Sequence, residues 1–105
     1  MIQVTEETRD AWHILTVTGR ADGEAAEALE TALKSAVAAH ARVAANFATL
    51  DYISSAGIRA VLQTARAAQT RGSEFAVCGL SAPVRKVFDM SGLHQIISIH
   101  GELPC

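Results

Sequence analysis

Ile2-Gln3-Val4 and Trp12 to Thr18 (WHILTVT) are apolar segments rich in β-branched side chains set between polar stretches, which predicts two strands. The polar turn Glu6 to Asp10 joins them as a hairpin. The period then changes. From Glu24 to His40, Ala25, Leu29, Ala32, Leu33, Ala36 and Val37 recur at three- and four-residue spacing, which lines them up on one helical stripe. Asp22 is the expected N-cap, and Glu24 adds negative charge where the helix dipole favours it. The segment Ala41 to Leu50 (ARVAANFATL) has no helix start signal and is apolar nearly throughout, the pattern of a central strand covered on both faces. A second stripe, Ile58, Val61, Leu62, Ala65 and Ala68, belongs to a helix that begins at Ser54 or Ser55 and stops at Arg71-Gly72. Glu74 to Gly79 reads as the next strand. Ser81 then caps a short helix with Pro83 in its first turn, Val84, Val87 and Phe88 facing inward and Gly92 closing it, and Ile96 to Ile99 supplies the last strand.

The order β-β-α-β-α-β-α-β, with short connections and no repeat or linker, predicts a single α/β domain over residues 1–105. Its sheet is mixed: an N-terminal hairpin followed by parallel β-α-β units. In such a sheet the three connections that leave a strand and enter a helix share one edge, and that edge is where ligands and partners meet the protein. They are Gly19 to Asp22, Asp51 to Gly57 and Gly79 to Pro83.

Composition narrows the function. The chain has 105 residues, 50% of them hydrophobic, enough for a core of its own. Nine Lys plus Arg against eleven Asp plus Glu leave a net charge of −2, with no basic stripe to neutralise a phosphate backbone and few aromatics to stack on bases. Nucleic acid is therefore not an expected partner. No apolar run approaches a membrane span, and the N-terminus MIQVTEETRD is polar and acidic, so no membrane is expected and the location reads as cytoplasmic. Cys78 and Cys105 do not suggest a disulfide scaffold, and Cys78 reads as a buried filler. His13, His40, His94 and His100 are spread along the chain as surface or strand-edge histidines, with no metal spacing. No cofactor is expected.

Ser54 and Ser55 lie in the middle connection, and capping accounts for one of them at about 1 kcal/mol. A nucleophile is a second reading, although the local sequence is not G-x-S-x-G and no His or Lys nearby announces itself as a base. Phosphorylation is a third: a phosphoserine in the first turn meets unpaired backbone N–H groups and the positive end of the dipole. From Ser54 to Gly72 there is no acidic residue, and Arg59, Gln63, Arg66 and Thr70 fall along the face opposite the apolar stripe. Arg59 is mildly disfavoured by the dipole, a local cost that suits either an ordinary solvated arginine or one that docks an acidic partner surface. It also lies four residues after Ser55, within helical reach of a phosphate there.

Leu50-Asp51-Tyr52-Ile53-Ser54-Ser55-Ala56-Gly57-Ile58-Arg59, with Gly19-Arg20-Ala21-Asp22, Gly79-Leu80-Ser81-Ala82-Pro83-Val84-Arg85 and Ser91-Gly92-Leu93, resembles a STAS domain of the anti-sigma-factor antagonist group over nearly the whole chain. The resemblance implies a small cytoplasmic protein without catalytic activity. Unphosphorylated, such a protein binds a serine-kinase anti-sigma factor with a histidine-kinase-like ATPase fold. The kinase phosphorylates a serine just before the motif glycine, which ends the complex, and a PP2C-type phosphatase resets it. Aligned on Gly57, the acceptor is Ser55. The family's more familiar spelling has Asp where this chain has Ser54, a second hydroxyl at Ala56 and often Asp at Asn46, which makes Ser54 a competing acceptor. The resemblance assigns Asp22, Asp51, Ser54, Ala56, Gly57 and Arg59 to partner binding; for Asp22, plain N-capping fits equally well.

Three other functions remain open on the sequence. One is a non-phosphorylated STAS interaction subunit of a lipid-transport ATPase complex, docking through the same edge. Another is an enzyme with a distant His or Lys folded onto Ser55, and the last is a small-ligand sensor.

Overall fold

The structure, a computed structural model, describes residues 1–92 and 97–100. Strand β1 (Ile2–Arg9) runs antiparallel to β2 (Trp12–Ala21), and β2 leads to helix α1 (Ala26–Ala39). Strands β3 (Arg42–Asn46) and β4 (Leu50–Ile53) precede α2 (Ser55–Arg71), and β5 (Glu74–Cys78), α3 (Ala82–Ser91) and β6 (Ser98–His100) complete the chain. The sheet order is β1-β2-β3-β5-β6, and every pairing except the hairpin is parallel.

The predicted alternation of strands and helices holds, with one strand more than expected. The stretch read as a single strand from Ala41 to Leu50 is broken after Asn46, whose side-chain Oδ1 accepts the Ala48 N–H at 3.0 Å and turns the chain out of the sheet. Phe47 drops into the core and meets Phe88 edge-on, with ring centroids 6.2 Å apart. The chain re-enters as β4, which pairs with the far end of β2 and shifts register at Gly19/Arg20. The hairpin is also longer than predicted: β1 continues to Arg9, and Asp10-Ala11 alone make the turn. For the last strand, Ile96 lies outside the described residues, as do His94 and Cys105; the reading of the cysteine pair depends on the last of these.

Leu29, Leu33 and Val37 of α1, Ile58 and Val61 of α2 and Val84 and Phe88 of α3 pack with Leu15, Val17, Val43, Ala45 and Val77 of the sheet into one core. Each fully buried large side chain contributes about 1.5–3 kcal/mol. On the other sheet face Ile14, Ala44 and Cys78 are buried as well, which is why the central strands show no alternation. Thr64 sits inside the α2 stripe, fully buried, its hydroxyl donating to Ala60 O at 2.8 Å. The helix ends at Gly72, whose φ of 71° is the left-handed conformation that glycine adopts without a Cβ penalty.

His40 is exposed, as the sequence suggested, whereas His13 is half-buried at the start of β2. Its ring stacks on His40 with centroids 3.7 Å apart, and its Nε2 lies 2.6 Å from Glu6 Oε1.

Candidate functional site

Parallel pairing brings the ends of β2, β4 and β5 to one edge of the sheet, where Asp22 to Ala25, Ser54 and Gly79 to Ser81 lead into the helices. Backbone contacts lock the first two connections together. Ser54 N–H donates to Ala21 O at 2.8 Å. Gly57 sits so close to the same strand end that a Cβ built on it would lie 2.7 Å from Ile53 Cγ1 and 3.0 Å from Ala21 O. The third connection is tied in through Ser81, whose hydroxyl donates to Leu50 O at 3.2 Å. Ser81 is therefore the N-cap of α3 by position, but its side chain makes no capping bond; the neighbouring carbonyl at the end of the β3–β4 excursion takes it instead.

The two serines have different tasks. Ser54 is half-buried with an extended backbone, the N-cap of α2, and its Oγ accepts the Gly57 N–H at 3.1 Å. Ser55 is the first residue of the helix and is exposed, and its hydroxyl has no hydrogen-bond partner among the described residues. Nothing described activates it as a nucleophile. His13 and His40 lie at the opposite edge, at the start of β2 and the end of α1.

Around Ser55 the surface is polar. Ala56 and Arg59 are exposed, and the Arg59 guanidinium is unpaired among the described residues. Gly57 is buried and shapes the site without being part of its surface. Asp51 is exposed on β4. Its neighbour Tyr52 is stacked under Arg20, whose guanidinium carbon lies 4.4 Å from the ring centroid. That pair has no local signature, because it depends on the parallel register that sets Arg20 against Tyr52.

Asp22 carries out its predicted capping task one turn early. Its Oδ1 accepts the Ala25 N–H at 2.9 Å, within the turn that leads into α1 at Ala26. That hydrogen bond holds the carboxyl below its ordinary value, opposed by partial desolvation and assisted by the Met1 ammonium, the Glu24 N–H and Arg20. The Met1 ammonium lies 3.9 Å from Oδ2. Asp22 is thus a fixed negative charge at neutral pH, on the loop that abuts the start of α2.

Among the described residues no group of three or more His, Cys, Asp or Glu is arranged to hold a metal ion, and no helix is long and apolar enough to cross a membrane.

The strand order, with Ser55 exposed where β4 turns into α2, defines a small α/β domain with a mixed sheet. The chain belongs to the STAS domain family, whose model matches residues 2–103. A Bordetella bronchiseptica protein provisionally named anti-sigma factor antagonist BtrV is 34% identical over 99 residues, spanning 93% of this chain and 85% of that protein. The crystal structure of an anti-sigma factor antagonist from Mycobacterium paratuberculosis matches with a TM-score of 0.89 at 21% identity, covering 98% of this chain and 88% of that one. The Bacillus cell fate determinant SpoIIAA in its phosphorylated form matches with a TM-score of 0.70 at 23% identity, covering 94% and 90% of the two chains. The two structural matches are likenesses of fold.

Proposed function

We propose that the protein is an anti-sigma factor antagonist whose partner exchange is switched by phosphorylation of Ser55. The observation that carries this reading is the division of labour at the mouth of α2: the Ser54 hydroxyl is committed to the Gly57 N–H, whereas the Ser55 hydroxyl is exposed and unbonded. A kinase reaches Ser55 without breaking a cap, so Ser55 and not Ser54 is the acceptor. The names of the relatives support the antagonist role, and the phosphorylated SpoIIAA supports a phosphorylated state for a fold of this kind.

The cycle runs as a difference in affinity. Unphosphorylated, the protein binds a serine-kinase anti-sigma factor with a histidine-kinase-like ATPase fold through Asp22, Asp51, Ser54, Ala56 and Arg59, with Gly57 holding the two loops together. The kinase transfers phosphate from ATP to Ser55 Oγ. The added charge of roughly −2 is tolerated by the first-turn N–H groups. Buried against a partner without a matching cation, it weakens the complex by about 3–4 kcal/mol, several-hundred-fold in affinity. A PP2C-type phosphatase removes the phosphate and restores binding. The protein itself performs no chemistry in this cycle, and it acts in the cytoplasm.

Intact-mass and peptide analysis after incubation with ATP and anti-sigma serine kinases tests the assignment. One phosphate is expected on Ser55, retained in Ser54→Ala and abolished in Ser55→Ala. Absence of phosphate on either serine with every kinase tried would replace this reading with that of a non-phosphorylated interaction subunit of a lipid-transport ATPase complex.

A further inference from the structure

The exposed edges of the two long helices carry opposite charge. On α1 that edge bears Glu27 and Glu30, with Glu24 just ahead of it, and the one lysine, Lys34, is already paired with Glu30 at 2.9 Å. On α2 it bears Arg59 and Arg66, with no acidic residue between Ser54 and Gly72. A groove between them is lined by Glu27 and Glu30 on one wall and Ala56 and Arg59 on the other, with the small residues Gly23 and Ala26 at its α1 end. Glu27 and Arg59 line this groove without meeting: neither has an ion-pair or hydrogen-bond partner among the described residues.

We propose that this α1–α2 face docks on the same face of a second copy of the chain about a two-fold axis, Arg59 of each copy meeting Glu27 of the other. The charge pattern selects this occupant. A uniformly acidic partner suits the Arg59 wall and is repelled by Glu27 and Glu30, and a uniformly basic one is repelled by Arg59. A copy turned through 180° presents acid to base and base to acid at once, the self-complementarity that an isologous contact requires. The small residues let the helices approach closely. Exposed ion pairs are individually weak, so the dimer forms at high protein concentration and dissociates as salt screens the pairs. Ser55 adjoins Ala56 on the groove wall, so the dimer occludes the mouth of α2 and holds the protein in reserve.

The contact does not depend on phosphorylation, and its test uses neither kinase nor ATP, so its failure leaves the Ser55 assignment standing. Sedimentation equilibrium of the full chain across a concentration series at low salt is expected to show a monomer–dimer equilibrium that added NaCl weakens. Arg59→Glu alone and Glu27→Arg alone each set like charges across both contacts and are expected to raise the dissociation constant at least about tenfold. An equimolar mixture of these two variants regains both contacts in the mixed dimer, and the double variant regains them in its own dimer. Both are expected to return to within about threefold of the wild type. A wild type that stays monomeric to millimolar concentration overturns the proposal. So does a dimer that neither single reversal weakens, or single-variant losses that neither the mixture nor the double variant restores.

Discussion

Gly57 is the position where the site tolerates no added atom. A methyl group there meets Ile53 Cγ1 at 2.7 Å and the Ala21 carbonyl at 3.0 Å, and Ile53 is itself buried in the core. Gly57→Ala is expected to lower stability by about 1–3 kcal/mol in urea unfolding, as overpacking does, while the helix itself would have tolerated alanine. Its neighbours separate cleanly by the same measurement. Ser54→Ala removes the bond to the Gly57 N–H and should cost about 1 kcal/mol, whereas Ser55→Ala removes no bond and should stay within about 0.5 kcal/mol of wild type. Equal losses at the two positions would contradict the division between cap and acceptor. The sequence placed the helix start at these serines but left open which one caps, because that choice depends on backbone angles: Ser54 has the extended ψ of 172° that turns its hydroxyl back over the first turn. Asp22 adds a pH signature. Its carboxyl titrates below the ordinary 3.8, so the stability it contributes is complete above that value and is lost as pH falls through the lowered native one. Carboxyl NMR titration should find its midpoint depressed, and Asp22→Asn should destabilise at neutral pH but not in strong acid; a midpoint at or above 3.8 would refute the bond to Ala25.

At the level of elements, the sequence was most readable where one face is buried and least where both are. The stripes of α1 and α2 were visible because their outer faces are polar, and α2 ends where Gly72 predicted. The β3–β4 break was not visible: Val43 to Ala45 and Phe47 are all buried, so nothing in their hydropathy marks the place where the chain leaves the sheet. The signal that existed was chemical, Asn46 ahead of a small residue, ready to accept the Ala48 N–H and form a turn. The hairpin was cut short for a related reason. Asp10 and Ala11 adopt φ values of 51° and 71°, a two-residue turn that ordinarily advertises itself with glycine. Ala11 lacks that freedom, so Ala11→Gly should stabilise the protein by about 1 kcal/mol in thermal or urea unfolding. No gain would show that the turn holds Ala11 without strain.

For the molecule as a whole, the class of the sheet and the edge that carries the site followed from the order of strands and helices, since parallel β-α-β units send every strand-to-helix connection to the same side. Registers did not follow from order. They set Ala21 beside Ser54 and Gly57 and Arg20 beside Tyr52, and helix packing sets Glu27 across from Arg59, all long-range placements with no local trace in the sequence. The rigid framework leaves Ser55 in a fixed, solvent-facing position at the start of a capped helix, so a phosphate there would alter what the surface binds and leave the core beneath it intact. Calorimetric titration of an anti-sigma serine kinase into protein carrying phosphoserine at position 55, set beside the same titration of the unmodified protein, tests this most directly. Affinity several-hundred-fold weaker for the phosphorylated form, at unchanged melting temperature, is the expected result; equal or tighter binding by that form would overturn the role of Ser55 as the switch.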